Sequence, residues 1–203
     1  MVWDRHVIYN DASEPTSYLS LSDLDLQLYD ESDGSYIDSS ASSINNVEQV
    51  ESSGDHTSSI IKIEPWGTYP SGITYESYAL ATEEGFTQVN APTLSASLSV
   101  PSGAIGSGTT FSVSTTVSNT GIGAHNVDAS LALPSGFSIV SGSNPQSLGT
   151  VSNGGSKTAT WTLQAPSVSS PQSYTILTSV LSSSYGETYT ASNSKTATVG
   201  PII

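Results

Sequence analysis

The sequence predicts an all-β protein built from two β-sandwiches in tandem. Apolar and polar residues alternate with the period of a strand in many short segments, and Gly, Pro and Asn separate these segments. Charge then divides the chain. Residues 1–90 hold 16 of the 18 carboxylates against Arg5 and Lys62, whereas residues 91–203 are neutral. We therefore predict one domain over residues 1–90 and a second over residues 91–203, joined near Pro92.

The segment S-D-L-D-L-Q-L-Y-D, which begins at Ser22, has the pattern of a strand with one buried and one solvent-facing side. Its leucines occupy every second position, and polar residues lie between them. Asp23 and Asp25 are two residues apart. They are therefore expected to project from the same side of the strand.

Further oxygen-bearing side chains follow this strand. Asp30 ends it, and Asn46 and Glu48 begin the next apolar run, N-N-V-E-Q-V. Hard oxygen ligands of this kind suit calcium. Asp and Asn also dominate turns, because their side chains bond the nearby backbone, and no complete EF-hand loop is present. The residues alone leave both interpretations open.

The run D-L-D-L-x-L-Y-D, followed by S-x-x-N-N-V-E-Q-V, resembles the pre-peptidase C-terminal type of domain found in secreted subtilisin-like serine proteases. The resemblance covers roughly residues 2–84, although the strands that precede V-W-D-R in that family are missing. It implies a non-catalytic, jelly-roll-like sandwich that binds calcium. The implied ligands are Asp23, Asp25 and Glu48, with Asp30 and Asn46 as weaker candidates.

The second half contains seven β-prone segments with regular turn signals, which is typical of an immunoglobulin-like sandwich. In T-T-F-S-V-S-T-T-V and A-T-W-T-L, every second residue is predicted to face the core, Trp161 among them. The segments are Thr93 to Val100, Thr109 to Ser118, Asn126 to Leu133, Phe137 to Val140, Ser156 to Gln164, Ser173 to Ser182 and Thr188 to Val199.

The motifs V-S-N-T-G-I-G-A-H-N-V-D and G-G-S-K-T-A-T-W-T-L-Q-A-P are similar to those of CARDB-like modules of bacterial and archaeal surface and secreted proteins. This resemblance covers nearly all of residues 93–199. It implies a spacer or adhesive scaffold without activity, in which Asn119 and Gly121 form the turn that ends the second strand.

Composition excludes several classes of protein. A pI near 4.1 and a net charge of −14 argue against nucleic acid as a partner. The sequence has no stretch of 18 apolar residues that would span a membrane. It contains no Cys, and the abundance of Ser, Thr and Gly favours a secreted or cell-surface location. The absence of an export signal at Met1 suggests part of a longer precursor.

The sequence predicts no enzyme. A nucleophilic hydrolase needs a His beside its nucleophile, and only His6, His56 and His125 are available. The subtilisin-like motifs G-T-S-x-A and H-G-T-H are both absent.

Aromatic residues are frequent in the first domain. Core filling and a tyrosine corner are the favoured explanations, and exposed platforms for sugars or peptides, with Trp66 and Tyr69 as candidates, are the alternative.

The leading hypothesis is a non-catalytic, calcium-stabilised accessory module, with an N-terminal protease domain in the same precursor as its partner. The alternative is a structural subunit of an extracellular fibre or surface layer, in which a neighbouring copy or cell-surface partner supplies the missing strands by β-strand addition. We expect residues 1–9 to pair with a strand of residues 55–80.

Overall fold

A computed structural model describes residues 1–3, 7–9, 15–18, 22–43, 46–52, 54, 56–66 and 74–201, and every regular element within them is a β-strand. The all-β prediction is confirmed. The chain divides into two compact units, which we call the acidic unit (Met1–Gln88) and the neutral unit (Val89–Ile203).

The described part of the acidic unit forms three small antiparallel sheets. The largest has the order β5-β4-β6, and the others pair β1 with β7 and β2 with β3. The strands are β1 (Val2–Trp3), β2 (Val7–Tyr9), β3 (Pro15–Tyr18), β4 (Leu24–Asp30), β5 (Tyr36–Ser40), β6 (Ser59–Pro65) and β7 (Tyr78–Ala79).

Strand β4 is the centre of this unit. Leu24 and Leu26 are each only 3% exposed, as the alternation predicts. The expectation of a solvent-facing opposite side is wrong at two positions, because Asp25 is 8% exposed and Tyr29 is 5% exposed. Strands β5 and β6 pair with β4 along both of its edges.

The start of the chain is held by β7 and by the loop before β4. Val2 pairs with Ala79, and the buried Trp3 donates its indole N–H to the carbonyl oxygen of Ser22 at 2.8 Å. The pairing expected for residues 1–9 is thus confirmed for β1. It is wrong for β2, which pairs with β3.

The neutral unit is a two-sheet sandwich. One sheet has the order β12-β14-β10-β8 and the other β13-β11-β15-β16-β9, with only the β16–β9 pair parallel. The strands are β8 (Leu94–Ser99), β9 (Ile105–Gly106), β10 (Thr110–Asn119), β11 (Ala124–Ala132), β12 (Ser138–Ser141), β13 (Gln146–Val151), β14 (Ser156–Gln164), β15 (Gln172–Ser184) and β16 (Glu187–Gly200).

The predicted inward faces of this sandwich are confirmed. Val113 lies directly opposite Trp161 in the β10–β14 pair, and both are essentially inaccessible to solvent. All seven expected segments form strands. Two strands were missed. β9 has only two residues, and β13 contains Gly149, which interrupts the alternation on which the prediction depended.

The turn predicted at Asn119 and Gly121 is also confirmed. The buried Asn119 amide donates to the carbonyl oxygens of Ile122 at 2.7 Å and Val151 at 3.0 Å, so it ties β10 to β13 across the sandwich. A Cβ atom at Gly121 would lie 1.8 Å from the carbonyl oxygen of Ala91, and this position therefore requires glycine.

Candidate functional site

A polar cleft of about 370 Å³ lies on the acidic unit, at the end of the three-stranded sheet where β4 begins and β6 ends. The backbone N–H of Trp66 donates to the carbonyl oxygen of Asp23 at 2.8 Å, which places Trp66 at the mouth of the cleft. The lining residues are Asp23, Asp25, Gln27, Ser39, Ala41, Ser42, Ser43 and Trp66.

Two carboxylates lie side by side in this cleft, as the strand pattern predicted for Asp23 and Asp25. Burial raises the pKa of Asp25, and the negative charges of Asp23, Glu48 and Glu64 raise it further. The Oδ1 atom of Asp23 is buried and has no hydrogen-bond partner in the described part of the chain. A buried oxygen of this kind costs free energy until a ligand satisfies it.

Glu48 belongs to the other face of the sheet. Its carboxylate accepts hydrogen bonds from the Ser40 hydroxyl and from the backbone N–H of Ser42, the latter at 3.0 Å. Ser40 lies opposite Leu26 in the β4–β5 register, so Glu48 lies on the side of the leucines. The Asn46 amide donates to the carbonyl oxygen of Trp3 at 2.6 Å.

Asp30 lies at the far end of β4. Its Oδ1 atom accepts hydrogen bonds from the hydroxyl and backbone N–H of Ser32, and its Oδ2 atom lies 2.5 Å from Nδ1 of His56. Hydrogen bonds from Ser32 and then from His56 lower the pKa of Asp30 to about 2. Asp30 lies five positions beyond Asp25 along the extended strand, a distance of about 17 Å, so one ion cannot bind both.

The five predicted ligands are therefore distributed over three places. Asp23 and Asp25 share the cleft. Glu48 bonds to Ser40 on the leucine face, and Asn46, two residues before it, bonds to Trp3. Asp30 pairs with His56. Across the described ranges, no three Asp, Glu or His side chains are gathered closely enough to hold one metal ion. Of the five predicted calcium ligands, Asp23 and Asp25 line the same cleft, and they are the two that remain candidates for one calcium site.

The two described histidines, His56 and His125, contact different kinds of side chain. His56 pairs with Asp30. His125 is buried at the start of β11, where its ring nitrogens contact the hydroxyls of Thr150 and Tyr185, each at 3.0 Å. Within the part of the chain that the structure describes, the Ser182 and Ser184 hydroxyls bond to the main chain of His125 and to each other. His6 lies outside the described residues.

Most of the described aromatic residues of the acidic unit are on the surface. Trp66 is 67% exposed, and Tyr36, Tyr75 and Tyr78 are each more than half exposed. Among the described aromatic residues, the expectation of core filling is correct for Tyr29 and for Trp3, which is 3% exposed. Tyr69 lies outside the described residues.

Sequence reasoning missed Gln27 and Ser39 as part of the site. They lie directly opposite one another in the β4–β5 register and both line the cleft. Gln27 is two residues beyond Asp25 on the same side of the strand, and this spacing was the available signal.

Comparison with known proteins identifies a family resemblance in the neutral unit. Residues 105–182 match the family described as the NPCBM-associated, NEW3 domain of alpha-galactosidase. This family differs from the CARDB-like modules that the motifs resembled. The match does not extend to residues 2–84, where the pre-peptidase resemblance lies.

Among solved structures, the chain is similar to one described as the crystal structure of BslA, a bacterial hydrophobin. The identity is 14%, the TM-score is 0.27, and the alignment covers 57% of this chain and 100% of that one. No curated protein matches the chain. Within the described residues, no helix has the length and apolar character needed to cross a membrane.

Proposed function

We propose that the chain is a non-catalytic accessory module of an extracellular enzyme. The observation that carries this proposal is the match of residues 105–182 to an accessory domain described for alpha-galactosidase. The matched segment includes most of the sandwich core. The described histidines bond to other side chains, His56 to Asp30 and His125 to Tyr185. A unit of this kind is best suited to the role of a scaffold.

The proposed host enzyme is a glycoside hydrolase. The subtilisin-like protease suggested by the resemblance of residues 2–84 is the competing host. The family match favours the glycoside hydrolase, because the matching family is named after a glycosidase. The sequence of the complete reading frame distinguishes the two hosts directly: a glycosidase domain supports the proposal, whereas Asp, His and Ser protease motifs contradict it.

The absence of catalysis is tested on the purified chain. We expect no turnover of casein, of nitrophenyl esters or of nitrophenyl α-galactoside above background. Activity that survives repurification, and that one Ser or Asp substitution abolishes while the fold is retained, would overturn the accessory role.

Calcium at Asp23 and Asp25 is the second part of the proposal. Two adjacent carboxylates, one with a buried unpartnered oxygen and the other with a raised pKa, would be stabilised by a cation between them. Their role would be structural, because the ion would hold the end of β4 against the segment that carries Trp66.

The fibre hypothesis has one supporting observation. Strands β5 and β6 are the edges of the three-stranded sheet in the described part of the acidic unit, and an open edge can accept a strand from a second copy. Light scattering at micromolar concentration, with and without calcium, tests it. Ordered polymers support this alternative, and a strict monomer in both conditions excludes it.

A further inference from the structure

We infer that the polar cleft of the acidic unit binds a neutral saccharide chain, with Trp66 as the stacking platform. This inference deepens the proposed function and rests on it for its biological setting. Its physical basis is separate, since it depends only on side chains of the acidic unit.

The cleft provides an aromatic surface beside hydrogen-bonding groups. Trp66 is 67% exposed although it borders a concave site, while the other two tryptophans, Trp3 and Trp161, are buried. A large exposed indole beside polar side chains is a feature of binding sites. The apolar C–H face of a sugar ring packs against such a ring system, and its hydroxyls remain free to bond at the rim.

The hydrogen-bonding groups are fixed in place. Gln27 Oε1 accepts a hydrogen bond from the Tyr29 hydroxyl at 2.7 Å, and Ser39 Oγ accepts one from the Tyr36 hydroxyl at 2.8 Å. These bonds orient the Gln27 amide and the Ser39 hydroxyl before any ligand arrives. Pre-ordered polar groups reduce the entropy lost on binding.

A second exposed aromatic residue extends this surface. Tyr36 is 58% exposed and lies opposite Tyr29, at the other end of β4 from the cleft, with the two rings in an edge-to-face contact at 6.0 Å. Tyr29 lies six positions beyond Asp23, which is about 20 Å along the strand. The strip from Trp66 to Tyr36 therefore suits several consecutive sugar units rather than a monosaccharide.

Charge and size select the class of saccharide. The cleft volume of about 370 Å³ is at the lower end of the usual range for small-molecule sites, about 300–1,000 Å³. Asp23 and Asp25 line it, and residues 1–90 carry 16 carboxylates, so a uronate or sulfated polymer would be repelled. A neutral polysaccharide fits both the stacking surface and the charge.

Affinity electrophoresis tests this directly, because the net charge of −14 gives the chain a strong mobility in a native gel. We would cast gels with galactomannan, xylan or soluble β-glucan, use polygalacturonate as the anionic control, and keep calcium in the buffer. We expect at least one neutral polymer to retard the chain. Retardation by none of them, or by polygalacturonate alone, would overturn the inference.

Two variants separate this site from general surface adhesion. Trp66→Ala is expected to weaken the binding about tenfold or more, as truncation of an aromatic anchor does, while Trp66→Phe retains a substantial part of it. Tyr75→Ala is the matched control, since Tyr75 is 73% exposed on the same unit and does not line the cleft. Equal losses in Trp66→Ala and Tyr75→Ala would contradict the assignment.

The outcome is independent of the test of the accessory role. If the chain binds no polysaccharide and shows no turnover, the saccharide inference is wrong and the proposed function stands. If the chain hydrolyses a glycoside, the proposed non-catalytic function is wrong, whether or not Trp66 contributes to binding.

Discussion

The two units use the same backbone element for different ends. In the neutral unit, the strands of both sheets contribute to one enclosed core, and the paired strands have up to 14 residues. The strands described in the acidic unit have at most seven residues, and polar groups reach into its interior at Asp25 and Glu48. The regular, enclosed core of the neutral unit suits a scaffold. The short sheets and buried carboxylates of the acidic unit suit a binding site.

Charge sharpens the contrast between the units. With 16 carboxylates in its half of the chain, the acidic unit is subject to self-repulsion that the neutral unit lacks. We therefore expect the neutral unit to unfold independently and at higher denaturant concentration, and the acidic unit to respond to ions, pH and ligands.

The largest expected difference comes from the same substitution in each unit. Trp161 is fully buried and donates its indole N–H to the carbonyl oxygen of Ser143 at 2.7 Å, so Trp161→Ala should cost about 3–5 kcal/mol of unfolding free energy. Trp66→Ala, at an exposed site, should cost less than about 0.5 kcal/mol. Urea unfolding measures both. Similar costs would mean that the burial assigned to one of them is wrong.

Calcium should act on the acidic unit alone. At a concentration one hundred times its dissociation constant, an ion bound only to the folded state adds about 2.7 kcal/mol. Removal by chelator should lower the midpoint of the acidic unit and leave that of the neutral unit unchanged.

Asp25→Asn should abolish this response, and Glu83→Gln, an exposed carboxylate outside the cleft, should retain it. An unchanged calcium titration in Asp25→Asn removes this residue from the site.

In the neutral unit, we expect stability to depend on the buried polar side chain of Asn119 and not on a bound ion. Asn119→Ala removes the buried amide that bonds to Ile122 and Val151, and the carbonyls it leaves unpaired should cost about 1–3 kcal/mol. Asn153→Ala, in an exposed loop, is the control and should be nearly neutral. Equal stabilities in a thermal melt would show that the turn does not depend on this side chain.

The smallest expected effects on stability come from Asp25 and Asp30, which lie towards opposite ends of β4, and these two effects have opposite signs. The raised pKa of Asp25 means that its ionised form destabilises the fold, so this cost is absent below pH 3.8 and appears as the pH rises through the folded-state pKa. In calcium-free buffer, Asp25→Asn should therefore stabilise the acidic unit at neutral pH.

Asp30 should behave in the opposite way. Its pKa is lowered from 3.8 to about 2, so its ionised form stabilises the fold above pH 3.8 and this contribution is lost as the pH falls through about 2. Asp30→Asn should destabilise at neutral pH and converge with the parent chain in strong acid. Two variants that shift stability in the same direction in calcium-free buffer would contradict these pKa directions.

Sequence patterns predicted the neutral unit well because its strands alternate strictly. Ala159, Trp161 and Leu163 show the period-2 pattern, and each is buried as expected. The acidic unit was less predictable. Its carboxylates share one sequence region, yet Glu48 binds Ser40 on the leucine face and Asp30 binds His56, and these separations depend on strand pairing that no local spacing encodes.

Hydrogen exchange of the full chain in increasing urea tests most directly the claim that a stable scaffold carries a responsive unit. We predict that peptides from β4 to β6 lose protection first, that peptides from β10 and β14 lose it together at higher urea, and that calcium shifts only the first transition. Simultaneous loss of protection in both units, with an equal calcium shift, would contradict the account.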